Sequence, residues 1–337
     1  MYFPWHDAQW RLLSADLNRL PHALLLTGEA GIGKRALAQT LAKALLCESG
    51  TADAAKPCGR CEGCHWFDAG NHPDFRLLAP AADEAGDDEE GGKAKKKPSQ
   101  YITIDQIREL ADFVNISSHR AGRRITLIAP AEAMNVAAAN ALLKTLEEPP
   151  ADALFILVSH HWRRLLPTIV SRCRRYAMPV PAEAPALAWL EAQGLAHAAD
   201  HLAHAGGAPL LALAEADHDL MVARKELIAE LAAPRQLEPL ATAERLDRQK
   251  LDPAEVIDWL ARWVFDLAGL SLADKIRYYP DKRQSVAELA SRLDPIRLMR
   301  YADSVREARA LAHHPLNNRL VYEQLLFGYL QAIRPAR

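Results

Sequence analysis

The stretch that most restricts the fold is HALLLTGEAGIGKRALAQTLAKALLC, His22 to Cys47, where a short apolar run breaks into a glycine loop and resumes as a segment rich in Ala, Leu and Lys. Strand, loop, helix is the context in which the order G-x-x-x-x-G-K carries meaning, here Gly28, Gly33 and Lys34 with Gly31 between them. Glycines let backbone N–H groups converge on an anion at a helix N-terminus, and Lys34 adds a point charge. The next residue is Arg35, where a working phosphate loop needs the Ser or Thr hydroxyl that ligates Mg²⁺. The loop is intact for phosphate and broken for metal. Nucleotide binding without hydrolysis and no binding at all both stay open.

An independent test of hydrolysis lies at the end of a second apolar run. Phosphate-loop ATPases hold Mg²⁺ and orient the attacking water with acidic residues at a buried strand's end. The candidate strand, RRITLIAPA, runs instead into Ala129 and Pro130. Glu132 lies too far along for that task and reads as a solvated loop residue. Mg²⁺-dependent hydrolysis is not expected.

Around this centre, WHDAQWRLLSADLNRL has Trp10, Leu13, Leu17 and Leu20 at helical spacing. ITIDQIRELADFV reads as a helix opened by Asp105, NVAAANALLKTLEEPP as a helix stopped by Pro149, and ALFILVSH as a further buried strand. LLPTIVSRC reads as a short turn or helix. Strands alternating with helices predict a parallel sheet covered on both faces. The segment 81–99, AADEAGDDEEGGKAKKKPS, has no large apolar side chain and reads as a surface loop. From about residue 180 the apolar spacing is helical nearly to the end. The expected division is an α/β domain over 1–179, a small helical unit over 180–217 and a larger helical domain over 218–337.

Cys47, Cys58, Cys61 and Cys64 form the pattern C-x₁₀-C-x₂-C-x₂-C, with Cys173 far away. Four thiolates close a tetrahedral Zn²⁺ site and leave no open position, so the metal expected of this 47–64 module is structural zinc. Pro57, Gly59 and Gly63 read as its turn residues. A formal net charge of −2 over 337 residues gives no overall drive toward nucleic acid, which counts against a free-standing zinc-dependent DNA-binding protein. No apolar run approaches membrane-spanning length and no signal-like segment opens the chain, so a cytoplasmic location with no membrane partner is expected. The last constellation is SRCRR, Ser171 to Arg175; by pattern alone Arg172 is an ordinary surface arginine.

PHALLLTGEAGIGK, CGRCEGC, HPDF, NALLKTLEEPP and FILVSHHWRRLLPTIVSRC occur in that order, and with them the chain resembles the AAA+ clamp-loader subunits of bacterial DNA polymerase III. Its departures make it most similar to the delta-prime branch rather than to the ATP-hydrolysing gamma/tau branch. The match is dense from about His22 to Cys173 and weaker beyond. The resemblance implies an AAA+ α/β domain with an inserted zinc module, a helical lid at 180–217 and a collar at 218–337. It also implies a heteropentamer with gamma/tau and delta subunits that loads the sliding clamp onto primed DNA. In that family the arginine of SRC reaches the γ-phosphate of the neighbouring subunit, which maps a trans arginine finger onto Arg172. ATPases of the family carry a further arginine in the lid. The matching AGGAPLLAL has Ala208 and Pro209 instead. The implied role is a subunit of a DNA-directed DNA polymerase holoenzyme that itself performs neither ATPase nor polymerase catalysis; ATP or ADP binding stays open. The alternative is an active gamma/tau-type ATPase, which acidic residues at 129 and 130 would have favoured.

Overall fold

The apolar runs ALLLT and ALFILVS are buried at every position, as strands are when helices cover both faces of a parallel sheet. They are β1 (Ala23–Thr27) and β4 (Ala153–Ser159) in the computed structural model of the chain. The structure describes residues 2–49, 57–81, 99–115, 122–216, 218–312 and 317–334. The run before Ala129 is β3 (Arg124–Ile128), also buried throughout. Two further strands, β2 (Phe75–Leu78) and β5 (Arg174–Ala177), are not evident from the sequence. They are the sheet's edges, and FRLL and RRYA show only one partner strand and a half-exposed face, so neither carries a continuous apolar run. Among the described residues the sheet has the order β2-β3-β4-β1-β5, with every neighbouring pair parallel.

The helices of this part are α1 (Asp7–Ser14), α2 (Lys34–Leu45), α3 (Glu62–Asp68), α4 (Ile104–Asn115), α5 (Val136–Glu147) and α6 (Pro167–Arg172). The opening segment is not one helix. A 3-10 turn over Pro4–His6 precedes α1, and Asp16 accepts from the Asn18 N–H to start another at Leu17–Arg19, which ends the helical stripe. Asp105 lies inside the first turn of α4 rather than opening it. Gln106 Oε1 reaches back to the Thr103 N–H at 2.8 Å, the reciprocal half of a capping box. α5 starts where Asn135 Oδ1 accepts from the Ala138 N–H at 2.8 Å, and ends before Pro149 and Pro150. The charged segment 81–99 lies outside the described residues except at its ends, Ala81 and Ser99.

The chain divides into two compact units, Met1–Ala182 and Glu183–Arg337. The second holds two separate hydrophobic cores. α7 (Glu183–Ala192), α8 (Ala198–His204) and α9 (Pro209–Ala214) close on Ala186, Leu190, Leu202 and Ala212. The larger core gathers α10 (His218–Ala232), α11 (Pro239–Arg248), α12 (Pro253–Ala273), α13 (Arg283–Ala290), α14 (Pro295–Leu311) and α15 (Asn318–Ala332) around Trp259, Trp263, Tyr279 and Tyr329. Polar atoms in it pair with one another: Trp263 Nε1 donates to the Tyr329 hydroxyl at 2.9 Å, which donates to the Leu231 carbonyl at 2.7 Å.

Buried charge joins the two cores. Glu215, directly after α9, accepts from Arg224 Nη1 of α10 at 3.0 Å and from Arg262 Nη1 and Nη2 of α12 at 2.9 and 2.8 Å. Asp266 is fully buried and accepts backbone N–H bonds from Arg277, Tyr278 and Tyr279, so the turn after α12 is fixed by one carboxylate.

Candidate functional site

The glycine loop follows β1 and ends where α2 begins at Lys34, as the strand-loop-helix reading requires. Gly28 is forced by close approach: a Cβ there would lie 2.4 Å from the Met178 carbonyl oxygen. Gly33 has φ of +88°, and a Cβ there would lie 2.5 Å from the Phe3 ring. Gly31 also has positive φ. The 3-10 turn before α1 covers this loop. Trp5 Nε1 donates to the Ile32 carbonyl at 2.9 Å, and His6 Nε2 lies 2.8 Å from the same oxygen. Lys34 is 2% exposed, and its ammonium donates to the carbonyls of Gly28, at 2.8 Å, and Glu29. Burial pulls its pKa down to about 8. Arg35 is exposed.

At the far end of β3, Ala129 and Pro130 offer no ligand, and Glu132 departs from expectation. It is half-buried, and its Oε1 accepts from the backbone N–H groups of His160 and His161 at 2.8 and 3.0 Å, tying the end of β3 to the end of β4. Burial alone would raise its carboxyl, but bonds from its own backbone, Ser159 and His160 outweigh that and hold it below the ordinary carboxylate value. It also favours the charged form of Lys34. His160 is driven the other way, down to about 4, first by burial and then by the Lys34 charge. A lysine, a carboxylate and a neutral imidazole thus share the space above the strand ends. Glu132 reads as a loop residue in the sequence because its partners are backbone groups of another strand.

Cys47, Cys58, Cys61 and Cys64 meet with all four sulfurs within 4.8 Å of one another. The separations of 3.9 Å for Cys47–Cys61 and 4.0 Å for Cys58–Cys64 match the edge of a tetrahedron, about 3.8 Å for metal–sulfur bonds of about 2.3 Å. Backbone N–H groups of Cys58, Arg60 and Cys64 point at the sulfurs of Cys47, Cys58 and Cys61. The N–H bonds from Arg60 and Cys61 draw the Cys58 thiol down to about 6, while burial pushes Cys64 up to about 12. Thiols crowded in this way cannot all ionise without a cation among them, and the donor set fits one metal ion. Gly59 turns with φ of +68° as expected. Gly63 does not turn. It lies in α3, where a Cβ would come 2.6 Å from the Leu46 carbonyl, so its place is set by close packing.

Arg172 ends α6, apart from the glycine loop and the cysteines in its contacts. Its Nη2 donates to Glu147 Oε1 at 2.6 Å and its Nη1 to the Thr168 carbonyl at 3.0 Å. The neighbouring arginines differ: Arg174 lies over the Tyr176 ring at 5.5 Å and Arg175 over the Trp162 ring at 4.4 Å. The last residue of α5 thus meets the last residue of α6. Glu147 belongs to the NALLKTLEEPP stretch, but nothing in that pattern pairs it with Arg172.

The profile described as DNA polymerase III, delta subunit, matches residues 6–181, and that described as DNA polymerase III, delta subunit, C terminal, matches residues 218–330. The delta-prime subunit of DNA polymerase III from Pseudomonas aeruginosa is 38% identical over 307 residues, covering 86% of this chain and 87% of that one. The delta-prime subunit from Escherichia coli is 31% identical over 342 residues, covering 99% and 97%. The tau subunit from Escherichia coli is 32% identical over 161 residues, which is 48% of this chain and 22% of that one.

Proposed function

Because the chain belongs to the delta-prime family of DNA polymerase III subunits, we propose that it serves in DNA replication as the non-hydrolysing AAA+ subunit of a clamp loader, presenting Arg172 to the nucleotide of a neighbouring ATPase subunit. One observation carries this reading. Of the three arginines in SRCRR, Arg174 and Arg175 rest on aromatic rings of their own unit. Arg172 stands at a helix end with two of its five N–H donors engaged and a side chain 33% exposed. A planar, permanently charged fork in that position suits the equatorial oxygens of a transferring phosphoryl group.

The chain's own loop supports a subunit that receives no nucleotide. Lys34 has already spent its ammonium on loop carbonyls, the Pro4–His6 turn lies over the glycines, and the strand end supplies no Mg²⁺ ligand. Hydrolysis is opposed most directly by chemistry that is missing: Arg35 stands where the Mg²⁺-binding hydroxyl is needed, and Ala129 and Pro130 stand at the strand end. Its contribution is the finger and a rigid frame. Cys47, Cys58, Cys61 and Cys64 would hold a structural Zn²⁺, whose chemistry is to neutralise four thiolates and fix the start of α3 against the end of α2. Residues 180–217 would serve as lid and 218–337 as the collar that holds the pentamer. The partners are gamma/tau and delta subunits, with the sliding clamp and primed DNA reached through the complex, in the cytoplasm.

The test is Arg172→Ala in a loader reconstituted with its gamma and delta subunits. Assembly should persist, and the clamp- and DNA-stimulated ATPase should fall by at least about tenfold, within the range arginine fingers supply. Arg172→Lys should rescue poorly, since an ammonium lacks the fork. Full ATPase in the Arg172→Ala complex, or equal loss on replacing Arg174 or Arg175, overturns the finger assignment.

A further inference from the structure

The sequence separates Glu147 from Arg172 by 25 positions, yet the structure sets the ends of α5 and α6 side by side and joins them through one ion pair of 2.6 Å. The pair uses Nη2. Nη1 is turned back on the Thr168 carbonyl of the same helix, an oxygen that also accepts from the Ser171 hydroxyl at 3.0 Å. The guanidinium is therefore clamped at both terminal nitrogens by its own chain. A side chain that is to reach another subunit's phosphate must leave at least one of these contacts.

We propose that Glu147 is a positioning residue for the finger, parking Arg172 on this chain until the triphosphate of a docked neighbour displaces it. The proposal rests on the finger reading above. The strength of the contact suits a latch. Glu147 is 50% and Arg172 33% exposed, and a pair of this kind shifts an equilibrium by a factor of about 2 to 5. That holds the side chain in one place and neutralises its charge while the chain is undocked. It also yields to a triphosphate, which carries several negative charges and accepts the fork on two oxygens at once. Glu148, the next residue, is exposed and makes no bond to Arg172, so the latch belongs to one carboxylate of the LEEPP stretch.

The consequence is specific. Parking lowers the fraction of time the finger is available before clamp and DNA have locked the subunits together, and changes little once they have. In the reconstituted loader, Glu147→Gln is expected to raise the ATPase measured without clamp and DNA by about 2- to 5-fold in kcat. KM for ATP should stay constant, since the finger acts on charge that develops in the transition state. The stimulated rate should hold, so the stimulation ratio shrinks by the same factor. Glu147→Asp keeps the charge and should restore most of the wild-type ratio, and Glu148→Gln should behave as wild type.

The deciding measurement places Glu147→Gln in an Arg172→Ala background, where its effect must vanish. An equal change with and without Arg172, no change at all, or a fall of the stimulated rate to the Arg172→Ala level overturns the proposal. The Arg172→Ala single variant keeps the two readings apart: if it alone retains full ATPase, the finger reading itself has failed.

Discussion

Removing the Glu215 carboxylate should cost far more than removing any surface carboxylate of the same unit. Glu215, Arg224 and Arg262 have side chains 10%, 6% and 12% exposed, and one carboxylate answers both guanidinium groups through three hydrogen bonds. Truncation takes the counter-ion from two permanent charges where water has little access, leaving Arg262 only its bond to the His204 carbonyl. Breaking a buried pair from one side costs about 3–5 kcal/mol, whereas exposed pairs contribute about 0–1 kcal/mol. The matched control is Glu226, whose Arg245 partner leaves it 47% exposed. For a unit of this size each kcal/mol moves Tm by about 2–4 °C, so Glu215→Ala should lower the transition of residues 183–337 by roughly 6–20 °C. Amide hydrogen exchange on the full chain locates the effect. Protection in α9 and α12 should drop by at least about 10²-fold with β4 as the unaffected reference. Glu215→Gln, which keeps the shape but not the charge, should show most of the loss. A cost under about 1 kcal/mol for Glu215→Ala, or one equal to that of Glu226→Ala, would refute the argument that burial makes this carboxylate indispensable to the joint between the two cores.

Metal analysis after chelator-free, reducing purification should give about one zinc per chain, and Cys61→Ser should lower it while loosening residues 57–75 more than the central strands; less than about a tenth of an equivalent removes the zinc assignment. Calorimetric titration with millimolar ATP and Mg²⁺ should give no binding heat, and Arg35→Ser should create no turnover, because the loop would still lack a strand-end carboxylate and a free lysine; ATP-dependent hydrolysis by the isolated chain that Lys34→Ala abolishes would contradict this. Acid should destabilise the fold in a defined window. Burial lowers the pKa of His160 and His204 to about 4, so between about pH 6.5 and 4 the unfolded chain binds protons that the folded chain does not, and stability falls as pH falls through that range. Over that whole window each imidazole removes on the order of 2 kcal/mol of stability once residual solvent screening is allowed for. The measurement is the pH dependence of the unfolding free energy with and without His204→Gln, and a flat profile from pH 7 to 5 would contradict it.

Local signals in the chain determined a great deal. Continuous apolar runs fixed β1, β3 and β4, the spacing of Gly28, Gly33 and Lys34 fixed the loop between β1 and α2, and C-x₁₀-C-x₂-C-x₂-C named the four cysteines that the structure brings together. These are properties of neighbours along the chain, where periodicity and turn chemistry act within a few residues. The edges β2 and β5 escaped because a strand with one partner and a half-wet face needs no apolar run. Glu132, Glu147 and Glu215 escaped for another reason. Nothing near any of them in sequence names its partner, which lies 28, 25 or 47 positions away. Only packing decides which strand ends, helix ends and guanidinium groups a carboxylate will face. Where burial strips water from such a pair, as at Glu215, its energy depends on that through-space geometry, which no pattern of near neighbours encodes.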